Sequence, residues 1–383
     1  MENENTGAYI LKAGLVSPAG GSPEQLLSAV PAAPVPLDYP GQKAALKTAG
    51  YRCDLSEAKA LLGPMKLRRL GRLQTMTLLA AKKAGLSAEA CAGDTGVYMG
   101  TGLGSMGETA AFLENMVLNG EEFPKPANFI NSVHNAAASS LALEYAIKGE
   151  NITVAHRDIS FDAALGHGVS ALAKGRLKRA VVCGADELNY YHLLAAEEKG
   201  LWKDGAGPLR PLAGGTTRGT SPGEGAAVFL LSSGAAEGAL AKVLGARTAR
   251  YRYDASTYLD PAASADFLCG LLAACGVKPE ETGLLLSGAD GDCALDAVYL
   301  RTAAELGRRA GRLVPHGSFK QYCGDYKAAS GFGFGLAALL LSSGTVPPGL
   351  FPNGTAAPGP VSTVLSYTIS RSGSHSAALL RSL

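Results

Sequence analysis

Short apolar runs alternate with stretches of helical spacing along the whole 383-residue chain, and the order of that alternation occurs twice. In the first pass, Tyr9–Val16 reads as a strand and Met65–Lys83 as a helix. Thr95–Met99 is a strand, Glu108–Leu118 and Ser132–Ile147 are helices, Asn151–His156 is a strand, and Phe161–Lys174 is a helix. Arg179–Cys183 and Ala226–Leu231 close the pass as strands. The second pass runs Ala241–Ala246 (strand), Ala265–Ala274 (helix), Gly283–Leu286 (strand), Ala294–Leu306 (helix) and Arg312–Pro315 (strand). It ends with Ala328–Leu341 (helix) and two strands, Val361–Ile369 and Ala377–Leu380. Strands separated by helices predict an α/β architecture with helix-covered sheets. The doubled order predicts two similar lobes, 1–235 and 236–383, joined near Ser232–Gly238. The repeat is one of pattern and not of residues. Leu201–Glu224, rich in Gly, Pro and Thr, reads as an ordered functional loop. Tyr251–Pro261 reads as a loop and Pro347–Pro360 as a connector.

A hydrophobic fraction of 47% and a charged fraction of 18% give a globular chain with ample apolar area to bury. A net charge of +2, with no basic stripe carrying interleaved aromatics, argues against nucleic acid as a partner. The acidic start and the shortness of the apolar runs Ala226–Leu231 and Leu336–Leu341 predict neither a secretory signal nor a membrane span. Seven cysteines without a Cys-x-x-Cys pair read as reduced thiols of a cytoplasmic protein. Six scattered histidines indicate no metal site, and no cofactor is expected.

Two motifs imitate familiar chemistry. Gly102-Leu-Gly104-Ser-Met-Gly107 has the dinucleotide-binding spelling, but Glu121–Pro126 follows its helix where a central strand is required. Close packing of backbone at a strand–helix turn explains these glycines better. Gly219-Thr-Ser221-Pro222-Gly223 spells a hydrolase elbow, yet Pro222 has no N–H to donate to an oxyanion and the strand follows the motif.

Five segments in order resemble β-ketoacyl synthases from near the N-terminus to the C-terminus. They are Gly14-Leu-Val-Ser-Pro18, Met99-Gly-Thr-Gly-Leu-Gly104, Gly149-Glu-Asn-Ile-Thr-Val154, Arg179–Glu187, and the stretch from Arg210-Pro211 through Arg218-Gly219 to Gly223-Glu-Gly-Ala226. The resemblance implies a thiolase-like α/β fold, with two βαβαβαββ lobes in a layered αβαβα arrangement. It also implies where a condensing cysteine and two histidines belong, and here those places hold Asp158, Gly288 and Asp325. The family lysine is kept as Lys320. A Gly-Phe-Gly-Gly loop is replaced around Ser370-Arg371-Ser372-Gly373. An aspartate is a poor acyl acceptor, and its charge opposes an enolate. Losing a single oxyanion donor typically costs about 10²–10³ in rate, and such groups act as a unit. A carboxylate at Asp158 would be stabilised by the following helix N-terminus. Lys320 with Asp158 or Asp325 reads as a charge-neutral pair holding the former pocket.

Within the family, the profile resembles the chain-length factors of type II polyketide and aryl polyene ketosynthases. The stretch Phe129–Ala137 adds to that likeness. It implies a non-catalytic subunit, a heterodimer with a cysteine-bearing ketosynthase, an acyl carrier protein as second partner, and a growing polyketide or polyene chain in a shared tunnel. Phe112, Leu113, Met116, Phe129 and Val133 are the tunnel candidates. His134, Asn135, Thr153 and His156 are the interface candidates, with Asn151–His156 pairing edge to edge with its counterpart. Two other readings remain at this point: a thiolase-fold enzyme with substituted residues, and a homodimeric protein that binds acyl chains or acyl carriers.

Overall fold

A computed structural model describes residues 7–121, 124–250, 260–352, 354 and 359–383. The first pass of the chain gives β1 (Ala8–Val16), α1 (Arg72–Lys83), β2 (Thr95–Gly100), α2 (Met106–Asn119), α3 (Pro126–Ser132) and α4 (Ala136–Glu144). It continues through β3 (Asn151–Val154), α5 (Ser160–Ala173), β4 (Arg179–Asp186), α6 (Tyr190–Glu198) and β5 (Gly225–Ser232). The second gives β6 (Ala241–Arg250), α7 (Pro261–Ala274), β7 (Leu284–Ser287), α8 (Cys293–Ala310), β8 (His316–Ser318), α9 (Ser330–Ser343), β9 (Thr363–Ile369) and β10 (Ser374–Arg381).

Hydrogen bonding orders the strands β8-β7-β9-β10-β6-β1-β5-β4-β2-β3. Each half has the same scheme. β2 is parallel to β3 and β4, whereas β4–β5 and β5–β1 are antiparallel. β7 is likewise parallel to β8 and β9, with β9–β10 and β10–β6 antiparallel. The halves meet where β1 and β6 pair through Ala8–Val243, Tyr9–Lys242 and Ile10–Ala241.

Alternation along the strands splits the core into layers. Tyr98, Val182, Phe229 and Leu231 of the first half, with Leu284, Leu286, Val364 and Leu380 of the second, face one central cluster that encloses α5 and α9. Their sequence neighbours Val97, Met99, Val181, Cys183, Val228 and Leu230 face the opposite way, onto α1 and α4. Leu285, Leu365, Tyr367 and Leu379 face α7 and α8. The result is the αβαβα order. Inside it, Phe161 of α5 stacks against Phe334 of α9 at 5.6 Å between ring centroids, and Phe334 meets Phe229 at 4.9 Å. Ser330 Oγ donates to the buried Asp162 carboxylate at 2.6 Å, a polar link between the two central helices. Burial pushes Asp162 up to about 6.

Several expected boundaries differ. The helix expected over Met65–Lys83 is broken: a single turn, Pro64–Leu67, stops, and Gly71 starts α1 with its N–H on Gln74 Oε1. Ser132–Ile147 divides into α3 and α4, because Val133 is extended. Arg312–Pro315 is not a strand. The ladder begins at His316, after Pro315, which has no N–H to give it. α6 was not expected, although Asn189 caps it by accepting from the N–H groups of Tyr191 and His192. Most of the expected loop Tyr251–Pro261, and part of the connector Pro347–Pro360, lie outside the described residues, as do Glu122 and Phe123. No helix among the described residues is long and apolar enough to cross a membrane.

Phe334 is 1% exposed and touches both central rings. Phe334→Ala is expected to destabilise the fold by about 3–5 kcal/mol. Denaturant unfolding followed by circular dichroism measures this, with Leu313→Ala on the surface as the near-neutral control.

Candidate functional site

Three segments distant in sequence converge at the ends of the central helices. Asp158 sits in the tight turn Arg157–Ile159 between β3 and α5. Lys320, Asp325 and Lys327 lie in the segment from β8 to α9. Ser370 and Arg371 form the turn joining β9 to β10. The turn before α5 is tight enough to hold Arg157 at φ +50°, a left-handed conformation that is costly for a residue with a Cβ.

Asp158, Lys320 and Asp325, together with Asp290, Lys327, Thr368 and Arg371, line one small cavity of about 30 Å³. That is room for little more than a water. Lys327 Nζ donates to Asp158 at 2.7 Å, and Ser370 Oγ donates to the other oxygen of the same carboxylate at 2.5 Å. Lys320 is bound to Asp325. Arg371 places two N–H groups on Asp290, at 3.0 and 2.9 Å, and lies 3.6 Å from Asp292.

The expected partnership of Lys320 is therefore settled on Asp325, not on Asp158. Lys327 holds Asp158 instead. The hydrogen bonds to the Asp158 carboxylate, which lies in the turn leading into α5, come from Lys327 and Ser370. Burial pushes Asp158 up, but the adjacent Lys327 ammonium and the hydrogen bonds of Lys327 and Ser370 outweigh it. They hold the carboxyl below its usual range. Asp325 is likewise lowered despite its burial, by Lys320, Lys327 and Arg371. Burial works against the charge of Lys320 and Lys327, yet Asp325 and Asp290 raise the first, and Asp158 and Asp325 raise the second. Both amines are held as ammonium ions. Neither is a free base or an amine nucleophile at neutral pH. Gly288 follows β7 directly and donates its N–H to Tyr367 O at 2.9 Å. A Cβ there would approach the Thr368 hydroxyl to 3.1 Å, so the position is closed to a larger side chain without adjustment.

The glycine turn that imitates a nucleotide motif has a different task. Asp186, at the end of β4, is fully buried and accepts from Thr101 Oγ1, the N–H groups of Gly102 and Leu103, and the N–H of Ala328. Burial pushes it up to about 6 against those bonds. A Cβ on Gly102 would lie 2.1 Å from Lys327 Cβ, so this glycine makes room for the lysine that neutralises Asp158. The Leu201–Glu224 loop is irregular, as expected, and closes over the outer wall. Leu212 N–H donates to Asp296, Gly219 N–H to Asp292, and Thr220 Oγ1 to Asp290 O.

A second surface carries the tunnel and interface candidates. α2 has no buried residue. Polar groups tie it to the body of the chain. Gly107 N–H donates to Glu187 at 2.6 Å, and Glu114 takes hydrogen bonds from Tyr191 and Gln42. Its outer side is apolar: Leu113 is 54% exposed, Val117 83% and Leu118 80%. Phe112 is half-buried and stacks on Phe129 at 5.4 Å, and Met116 is half-buried, while Phe129, Ile130 and Val133 are exposed. His134, Asn135 and His156 are exposed, and Thr153 lies in the edge strand β3 with its hydroxyl buried and unpartnered. Sequence reasoning missed Lys327, Asp290 and Arg371. The spacing Lys320-x4-Asp325-x-Lys327 was a readable sign of an ion-pair cluster; nothing in the sequence pointed to Asp290 as the partner of Arg371.

The model of the β-ketoacyl synthase N-terminal domain matches residues 41–236. No curated protein sequence matches the chain. Among solved structures, the ishigamide ketosynthase/chain length factor superposes with a TM-score of 0.81 at 20% identity, covering 98% of this chain and 99% of that one. A ketosynthase in complex with its chain length factor from Xenorhabdus doucetiae gives a TM-score of 0.76 at 17% identity, with both chains covered in full at 100%. A type II polyketide synthase acyl-carrier protein in complex with its ketosynthase bound to the hexaketide gives 0.79 at 16% identity, covering 98% and 99%.

Removing one member of the Asp158–Lys327 pair leaves the other partly buried and uncompensated. The side chains are 20% and 28% exposed, so the cost falls between those of a surface pair and a fully buried one. Asp158→Asn or Lys327→Met alone is expected to cost about 1–3 kcal/mol, and the double variant less than the sum. Because the folded-state carboxyl titrates below its unfolded value of 3.8, this stabilisation is full at neutral pH and fades as pH falls below about 4. Unfolding free energies of the four proteins at pH 7 and pH 3 check both statements.

Proposed function

The chain belongs to the β-ketoacyl synthase family, and we propose that within it the chain is a non-catalytic subunit of the chain-length-factor type. It pairs with a ketosynthase that carries the cysteine and supplies one wall of the tunnel that receives the growing polyketide or polyene chain. The observation that carries this reading is the ion-paired cavity. Where a ketosynthase needs a thiolate and two imidazoles, this chain has Asp158, Gly288 and Asp325, and both carboxylates are neutralised by lysines. A charge already paired and hydrogen-bonded offers nothing to a developing enolate. Lysines held as ammonium ions also weigh against different chemistry run by Lys320.

The outer surface supports a partner. A two-helix patch of exposed apolar side chains leads through residues 133–135 into α4, which packs on the edge strand β3. Among the described residues, β3 pairs on one side only and has a free edge on the other. Large exposed apolar patches mark interaction sites, and an unpaired edge invites strand addition. A related subunit with its own β3 edge fits both features, and the solved relatives whose titles name a ketosynthase with a chain length factor support that choice. Tunnel length is then set by bulk. Phe112, which stacks on Phe129 of α3, and Met116, half-buried on the same helix, would end the chain; Leu113, Phe129 and Val133 would line it. An acyl carrier protein would deliver the substrate, in keeping with the relative whose title names one.

Co-expression with the cognate ketosynthase is expected to give a stable heterodimer by size analysis; a chain that stays monomeric beside it would sink the proposal. In the complex, Phe112→Ala and Met116→Ala are each expected to shift the products toward longer chains by mass spectrometry, with condensation retained. Unchanged lengths in both would remove the tunnel assignment.

A further inference from the structure

We propose that the charged cluster is an exclusion plug, which keeps the thioester end of a pantetheine arm out of this subunit's own cavity, so that a carrier can deliver only to the partner's cavity. This rests on the reading of the chain as a partner subunit and adds a direction to it. Loss of the cysteine alone would leave an empty pocket that an acyl arm could still enter and occupy unproductively. The structure has closed the space as well.

Three observations carry this. The cavity is about 30 Å³, where sites for small organic ligands run to roughly 300 Å³ or more. Its walls are crossed by three ion pairs: Lys327 to Asp158 and Arg371 to Asp290 join different segments, and Lys320 to Asp325 closes within the segment between β8 and α9. An apolar acyl group could enter only by unpairing them, without replacing their hydrogen bonds. Finally, the parts are held in place. Lys327 runs against the backbone of Gly102, where even a Cβ would come within 2.1 Å, and Arg371 is fixed by two hydrogen bonds to Asp290. The remaining space is polar. Thr368, 5% exposed, lines it with a hydroxyl that has no partner and suits a molecule the size of water, not a carbon chain.

The test installs a reporter thiol and asks what can reach it. In the full-length chain, Asp158→Cys with Lys327→Met places a thiol at the turn and removes one ion pair as a unit, leaving the other two pairs closed. Adding Asp290→Asn and Arg371→Gly opens the mouth, again without an orphaned charge. Each protein is treated with a small reagent, methyl methanethiosulfonate, and with chloroacetyl-pantetheine. Modification at position 158 is followed by peptide mass mapping, which separates it from the native cysteines. The rate with the pantetheine reagent, divided by that with the small one, is expected to be at least tenfold lower in the closed variant than in the opened one. Equal ratios overturn the plug. Should the opened variant not fold, glutathione provides the reference: the closed variant's ratio must fall at least tenfold below that of glutathione, and a comparable ratio overturns the proposal. A chain that pairs with no ketosynthase would overturn the partner-subunit reading and leave this measurement of access unchanged.

Discussion

The buried carboxylate of Asp186 is the constraint from which the site is built. It has no exposure, and its acceptor capacity is filled by donors from two places far apart in the chain: the glycine turn after β2 and the N–H of Ala328 before α9. A buried acid without those donors would cost several kcal/mol, roughly 1–3 per unmet bond and more for a charge. With them, it sets the distance between the first half and the second. Lys327 precedes Ala328, so the bond that fixes Ala328 also fixes the lysine. Gly102 gives the lysine its path, and Asp158 receives its charge. A glycine turn with the spelling of a nucleotide site thus works as one half of a clamp. The backbone of Asp325 is clamped in the same way, by Ser221 O and the N–H of Gly223, on the segment with the hydrolase-like spelling. Both imitating motifs are scaffolding for one cluster.

Much of the fold was legible because it depends on periodicity. Strands whose alternate residues face two different helical layers are apolar on both faces, and runs such as Gly225–Ser232 and Arg179–Asp186 show this directly. The doubled order gave the doubled lobe. What the sequence hid were interruptions that a single residue decides. Gly71 divides a continuous apolar stripe because its N–H is taken by Gln74, and Val133 divides the Ala-rich stretch by turning extended. Pro315 ends the expected strand and the ladder of β8 starts only after it, at His316. None of these changes the hydrophobic pattern, so pattern reading passes over them.

The site was legible in a different way. The vacated positions were found by resemblance, and the structure brings Asp158, Lys320 and Asp325 to one cavity. Which charge neutralises which was hidden, because ion pairing across 169 residues, as between Lys327 and Asp158, leaves no local trace in one sequence. The Arg371 side chain likewise acquires meaning only once the turn after β9 is laid over Asp290. Charge balance was nevertheless to be expected on physical grounds. Aspartates introduced into an apolar interior must either protonate or find cations. In this cavity they found cations.

The outer surface follows the opposite logic. A helix of a globular protein ordinarily turns its apolar side inward. α2 is joined to the chain through Glu187, Glu114, Gln42 and Tyr191, and it presents Leu113, Val117 and Leu118 to solvent. Those side chains forgo the roughly 1.5–3 kcal/mol that burying each would contribute. Beside them, β3 is an edge strand that pairs on one side only among the described residues. In an isolated chain these are two separate liabilities. A single partner with its own edge strand would resolve both, because it would complete the sheet and cover the helices in one docking event. The cavity at the end of the central helices is charged and closed, while the face formed by α2, α3 and the β3 edge is apolar and open. The two inversions belong together under the proposed reading of a subunit whose contribution is made across its surface.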